Sequence, residues 1–240
     1  MINTTQTNIE ELPQRIYRRH EIPIADYLMS HQTALRDEFL NGFSTLEEAA
    51  QHVPASLANR KDLPEGTTNY LVQKKDKTPD VNRWRVQGLK YEHKDANIFW
   101  KESNSDIIDR YPTAFKLTEE YGIDCPIANY SILAPNTIIN RHTGVENRAG
   151  EFIRIHIPLI VPQGRIFFEV YGEEVTWNDI FAFNNQFVHS AHNYTDEWRL
   201  CFLIDIRRTR AGLPPGVPYD EISHLDDVMR KFLAGECDDL

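Results

Sequence analysis

Two textures of apolar spacing divide the chain. In IPIADYLMSHQTALRDEFLNG, the apolar residues Ile24, Leu28, Leu35 and Phe39 fall on one helical face, and Asn41-Gly42 supplies a stop. Ser44 with Glu47 predicts a capping box ahead of a second short helix reaching about Val53. From Pro54 to Pro79 the chain is polar and broken by Pro and Gly, which predicts loop with one strand around Asn69–Gln73. NRWRVQGLKY predicts a strand running to a turn at Gly88. Ser105 to Tyr121 predicts a helix broken near Pro112, with Gly122 at its end.

After Cys125 the spacing shortens. NYSILAP, NTIINRH, FIRIHIPLIV, RIFFEVYG, EEVTWND, IFAFNNQF and EWRLCFLIDIRR follow one another between Pro-Asn, Asn-Arg-Ala-Gly, Pro-Gln-Gly and Tyr-Thr-Asp, the pattern of an all-β sandwich or barrel. GLPPGVP then leads into DEISHLDDVMRKFLAG. Its residues Ile222, Leu225, Val228, Met229, Phe232 and Leu233 lie on one helical stripe, expected to pack outside the sheet. The expected organisation is a helical and loop-rich part over 1–122 packing on the barrel, the barrel core over 123–210, and a linker and helix over 211–240. Together they form one compact domain.

Charge narrows the partners. With 36 Asp+Glu against 26 Lys+Arg the formal charge is -10 over 240 residues, which argues against a nucleic-acid surface, since phosphate binding draws on clustered Lys and Arg. The N-terminal stretch MINTTQTNIEELPQRIYRRH lacks the apolar core of a signal peptide, and no run approaches the roughly 20 apolar residues of a membrane span. A soluble, cytoplasmic protein with no membrane partner is expected. Cys125, Cys201 and Cys237 are too few and too scattered for a disulfide framework or a CxxC metal pattern, so free thiols are expected.

Strand alternation then raises a chemical question. Phe152, Arg154 and His156 share one face of their strand; Arg199, Cys201, Leu203 and Asp205 share one face of the last. With the apolar faces turned outward toward helices, the polar groups turn into the lumen. Two arginines there without an evident acidic partner predict a bound anion. His142 ends one strand and His189 follows AFNNQF. Histidines from separate strands serve iron(II) oxygenases, usually with a carboxylate two residues after the first; here that slot is Gly144.

The segments NYSILAPNTIINRHTG, FIRIHIPLIVP, FNNQFVHSAHN and EWRLCFLIDI, from about Asn129 to Arg208, resemble the aspartyl/asparaginyl β-hydroxylases. WRVQG, Trp84 to Gly88, is a weaker echo. The family consists of Fe(II)- and 2-oxoglutarate-dependent oxygenases built on a double-stranded β-helix, a jelly-roll or cupin-like core, here mainly β with flanking helices. The resemblance implies that His142 and His189 are the iron ligands. It further implies that Ser131, Arg154, His156 and Arg199 hold 2-oxoglutarate, with Arg199 and Ser131 on its distal carboxylate, where a planar guanidinium can bond both oxygens. With O2, 2-oxoglutarate would be decarboxylated to succinate as an unactivated carbon, the β-carbon of an amino acid free or in a peptide, is hydroxylated.

Gly144 admits two chemistries. In the resembled hydroxylases the slot can be glycine; in related halogenases a small residue there makes room for chloride. The plain alternative is a turn glycine needing positive φ. Arg85, Asn147, Arg148 and Arg165 are candidate substrate contacts, with Arg85 standing where the family often has an aromatic residue near the co-substrate. The loop from Gly144 to Phe152 is longer than the family leads one to expect, and 54–79 is a candidate lid. His192 rivals His189 as a ligand, although spacing to Arg199 favours His189. A jelly-roll protein that binds a ligand without turnover, or a zinc hydrolase using His142, His189 and His192, would be the rival classes.

Overall fold

The computed structural model describes residues 14–55, 71–93, 98–101, 105–144, 147 and 149–222. In chain order the elements are β1 (Ile16–Arg18), α1 (Ala25–Ser30), α2 (Gln32–Leu40), α3 (Leu46–Gln51), β2 (Val72–Lys74), β3 (Trp84–His93), β4 (Ile98–Lys101), α4 (Ser105–Arg110) and α5 (Pro112–Tyr121). The β-rich part follows: β5 (Ile127–Leu133), β6 (Thr137–His142), β7 (Phe152–Ile160), β8 (Ile166–Val170), β9 (Glu173–Val175), β10 (Phe181–Phe183), β11 (His189–Asn193) and β12 (Arg199–Arg207).

These strands form a seven-stranded sheet, β1-β10-β7-β12-β5-β3-β4, and a five-stranded sheet, β2-β6-β11-β8-β9. From β5 onward the chain passes repeatedly between the two sheets, which face each other as a double-stranded β-helix, the jelly-roll arrangement. The larger sheet is apolar on its outer face. Ile153, Ile155 and Ile157 of β7 and Phe202, Ile204 and Ile206 of β12 form one core with Leu28, Leu35, Phe39 and Leu117 of the helices. Its inner face meets the smaller sheet around Phe168, Trp177, Phe181, Phe183 and Leu203. Outward apolar and inward mixed residues thus alternate along β7 and β12, as the period-two pattern requires.

One carboxylate ties the helical layer together. Glu38, on α2, accepts from the backbone N–H groups of Thr113 and Ala114 at 2.7 and 2.8 Å, in the first turn of α5. Those donors have no partner within their own helix. The same carboxylate accepts from the hydroxyl of Tyr130 on β5 at 2.6 Å, joining two helices to the sheet.

Several elements differ from the sequence pattern. The first helix is split at His31, where the Ser30 hydroxyl and the His31 Nδ1 both turn to the carbonyl of Tyr27, at 2.6 and 3.0 Å, and compete with helical hydrogen bonding. The cap of α3 is Thr45 with Glu48, one residue beyond the expected pair: the Thr45 hydroxyl accepts from the Glu48 N–H, and Glu48 accepts from the Ser44 N–H. At Gly88 β3 does not turn; a register shift between Gly88 and Lys90 lets it continue as a bulged strand. The expected strand near 69–73 is β2, starting at Val72. Because β1, β3 and β4 join the same sheet as β5, β7, β10 and β12, hydrogen bonding runs straight across the expected boundary at residue 122. The C-terminal helix is described only over 219–222 and otherwise lies outside the described residues, as does Cys237; Cys125 and Cys201 are buried free thiols. Among the described residues no helix is long and apolar enough to cross a membrane.

Candidate active site

The two ends of neighbouring strands meet as an imidazole pair. His142 closes β6, His189 opens β11, and they stand opposite each other in register with ring centroids 4.3 Å apart. Each ring is locked by its own strand: His142 Nδ1 donates to the Asn140 carbonyl at 2.7 Å and His189 Nδ1 to the Phe187 carbonyl at 2.8 Å. A carbonyl only accepts, so both Nδ1 atoms carry a proton and Nε2 is the atom through which each ring would reach a metal. Burial, then the neighbouring His142, hold the His189 pKa well below the ordinary histidine value, which keeps its lone pair available at neutral pH. Among the described residues no third His, Cys, Asp or Glu completes a ligand cluster. His192 faces the opposite side of β11, stacked on Phe167 at 4.4 Å with its Nε2 bonded to Ser190.

Behind this pair the lumen is aromatic. His156, 4% exposed, is boxed by the rings of Phe168, Phe181 and Phe183 and accepts at Nδ1 from the Trp177 indole N–H at 3.1 Å. Desolvation, then the charges of Arg199 and Arg154, push its pKa well down, so it is a neutral imidazole. Phe183 also touches His189, at 4.9 Å between centroids.

Further along the lumen sits a guanidinium with no carboxylate partner among the described residues. Arg199 is 1% exposed, lies over the Trp177 ring at 4.6 Å, donates from Nη1 to the Ser131 carbonyl at 3.2 Å and contacts the Cys201 thiol; its Nε has no partner. Ser131, cross-strand from Cys201, receives the indole N–H of Trp84 on its hydroxyl at 3.0 Å. An orphaned buried donor of this kind is a cost that a bound carboxylate would remove. The residues therefore suit an anion at this end and a metal at the imidazole end.

Arg154 differs from Arg199. Its expected lack of an acidic partner is corrected: Asp205 lies opposite it in register and takes Nε and Nη2 in a two-pronged ion pair, both contacts at 2.8 Å. Alternation already placed Asp205 on the inner face, so the partner was legible, but cross-strand register was not.

Gly144 is explained by packing and not by positive φ. Its N–H donates to the Asn185 carbonyl at 2.7 Å, and a Cβ there would lie 2.5 Å from Asn185 Nδ2 and 3.1 Å from Asn185 O. Asn185 thus fills the space a side chain at 144 would occupy. Asn147 belongs to the same lock, donating to Asn185 Oδ1 at 3.0 Å and to the Phe152 carbonyl at 2.8 Å, and accepting from the Phe152 N–H at 3.1 Å. Its amide is spent on holding the loop, so the expectation that it contacts substrate gives way to a positioning role.

Arg85 falls on the wrong face for the lumen. It pairs in register with the outward Ile132 and donates to the Val53 carbonyl at 2.7 Å; its neighbour Trp84 turns inward and supplies the aromatic, 6.5 Å from the His142 ring. Arg165 is exposed and bound to Glu174 at 2.7 Å. Arg148 and residues 56–70 of the expected lid lie outside the described residues. The sequence did not single out Trp177 and Asn185, which reach the site from loops, nor the partners of Trp84 and Asp205, which cross-strand register sets.

Comparison with known proteins places these features. No curated protein matches at the significance threshold. Solved structures match at low identity and low TM-score. A 2OG-Fe(II) oxygenase family oxidoreductase from Burkholderia pseudomallei matches at 10% identity over 59% of this chain and 74% of its own, with a TM-score of 0.37. The Cupin_2 domain of an XRE family transcriptional regulator from Enterobacter cloacae matches at 13% over 52% and 96%, TM-score 0.31. A Cupin 2 conserved barrel domain protein from Salinispora arenicola matches at 16% over 55% and 82%, TM-score 0.30. The model of the family described as aspartyl/asparaginyl beta-hydroxylase matches residues 30–209 of the 240, spanning the imidazole pair, Arg154 and Arg199. The chain belongs to the aspartyl/asparaginyl β-hydroxylase family.

Proposed function

We propose that the protein is an Fe(II)- and 2-oxoglutarate-dependent oxygenase that hydroxylates an unactivated carbon of an amino acid, free or within a peptide. The observation that carries this is the meeting, in one lumen, of two imidazoles whose Nδ1 atoms are held by strand carbonyls and a buried guanidinium whose Nε has no partner among the described residues. His142 and His189 would hold the iron, and Arg199 with Ser131 the distal carboxylate of the co-substrate. When bound, iron, 2-oxoglutarate and O2 supply the oxidising power for hydroxylation, with succinate and carbon dioxide as co-products.

The chain's own residues position and shield. The Asn140 and Phe187 carbonyls fix the orientation of both rings, so neither has to reorient for Nε2 to meet the metal. Trp177 holds Arg199 by its ring face and His156 by its N–H, coupling the two ends of the co-substrate cleft. Phe168, Phe181 and Phe183 exclude water around His156 and His189, which strengthens each polar contact there. Asn185, wedged against Gly144, leaves no space for a carboxylate from position 144.

The test is anaerobic loading with Fe(II) and 2-oxoglutarate, followed by O2 and a panel of amino acids and peptides with and without chloride. Substrate-stimulated succinate and a product gaining one oxygen support the reading. A chlorinated product would turn it to halogenation, and no 2-oxoglutarate consumption under any condition would remove it in favour of ligand binding alone.

A further inference from the structure

On the outer side of the larger sheet the helical layer leaves a cavity of about 260 Å³, lined from α2, α3, α4 and β3. Its β3 residue, Gln87, pairs in register with the outward Tyr130, so the cavity lies across the sheet from Trp84, whose indole reaches Ser131 in the lumen. Much of its wall is apolar, from Phe39, Phe43, Val53 and Ile107. Into that wall α4 brings a guanidinium. Arg110 lies over the Phe43 ring at 4.8 Å and the Tyr111 ring at 5.6 Å, and its Nε is buried with no hydrogen-bond partner among the described residues. His52 stacks on the same Phe43 ring, 4.9 Å between centroids, and lines the cavity as well. On the outward face of β3, Arg85 gives Nη1 to the carbonyl of Val53 at 2.7 Å and leaves a second buried Nε in the same condition. The carboxylate of Glu38 in this layer is already spent on Thr113, Ala114 and Tyr130.

We propose that this cavity is a second ligand site, taking a small monocarboxylate with an apolar body. The carboxylate would accept from the Nε edge of Arg110 in a charge-assisted pair, which removes the cost of a buried donor without a partner. The hydrocarbon part would lie against Phe39, Val53 and Ile107 and displace water from them. A dicarboxylate such as 2-oxoglutarate is disfavoured, because its second charge would meet the apolar wall or the exposed Asp106 at the rim. The site is separate from the lumen and independent of the chemistry carried out there.

Benzoate and benzamide share a shape and differ in charge, and they serve as probes. Calorimetric titration of the full-length protein is expected to give a benzoate dissociation constant of about 1 mM or below. Benzamide should bind about tenfold or more weakly, since it forfeits the charge-assisted pair. Arg110→Gln should remove that preference, whereas Arg110→Lys, which keeps the charge and loses the fork, should retain part of it. Equal binding of the two probes, or binding of neither, by the wild type overturns the inference whether or not the variants fold. A crystal of the wild type grown with benzoate locates the ligand without any substitution. Its carboxylate on Arg110 supports the inference; benzoate on Arg199 in the lumen, or elsewhere, overturns it and leaves the oxygenase reading untouched.

Discussion

His189 and His192 lie three positions apart on one strand, yet they face opposite sides of it, one toward His142 and the other toward Phe167. Replacing His189 by Ala should abolish Fe(II) or Co(II) binding by the full-length protein, while His192→Ala leaves it within a few-fold of wild type; calorimetric titration distinguishes the two, and the reverse order would mean the strand register is misassigned. Gly144 is a second residue-scale test. A methyl group at 144 would intrude on Asn185, so Gly144→Ala should cost about 1–3 kcal/mol in urea unfolding, and Asn185→Gly in the same chain should recover most of it. Full stability in the single variant would show that Asn185 yields freely. At this scale the sequence disclosed residue types but not neighbours. Alternation along one strand suffices to put Arg154, His156 and Arg199 on inner faces, whereas the Asp205 partner, the Trp84 indole and the Asn185 wedge depend on register between distant strands and on a loop contact.

Glu38 shows how elements are joined by a group that no local pattern marks. It stands near the end of α2 but serves the start of α5 and the Tyr130 hydroxyl, so Glu38→Ala strands two N–H groups of α5 and leaves the Tyr130 hydroxyl to the Leu35 carbonyl alone. A loss of about 2–4 kcal/mol is expected from urea unfolding, with Glu38→Gln losing less; a change under about 0.5 kcal/mol would show that water replaces the carboxylate. Most strands were legible because one face of each is apolar and turn residues separate them. The missed ones are instructive: β11, HSAHN, carries too few apolar residues to signal a strand and is instead defined by partners on both sides, β6 and β8. β1 is three residues long and exists by pairing with β10. The break at His31 and the one-residue shift of the α3 cap are set by side chains competing for single carbonyl and N–H groups, below the resolution of periodicity.

At the scale of the molecule, the jelly roll buries two imidazoles that stay neutral, and this couples stability to pH. The native pKa values of His156 and His189 are pushed down, first by desolvation, so below the unfolded histidine value of about 6.5 the unfolded chain binds protons that the native one refuses. Stability of the metal-free protein is therefore full above about pH 7 and falls as pH drops from there, by up to about 1.4 kcal/mol per pH unit for each of the two groups. Urea midpoints between pH 7.5 and 5.5 check this; a midpoint that rises on acidification would contradict neutral burial. The larger account rests on the lumen holding a metal at one end and a carboxylate at the other, with Phe183 against His189 and Trp177 against Arg199. The most direct measurement is a crystal structure of the protein grown anaerobically with Fe(II) and 2-oxoglutarate. The account predicts the iron on Nε2 of both histidines and the distal carboxylate on the Nε edge of Arg199; iron bound elsewhere, or the diacid lying away from Arg199, would contradict it.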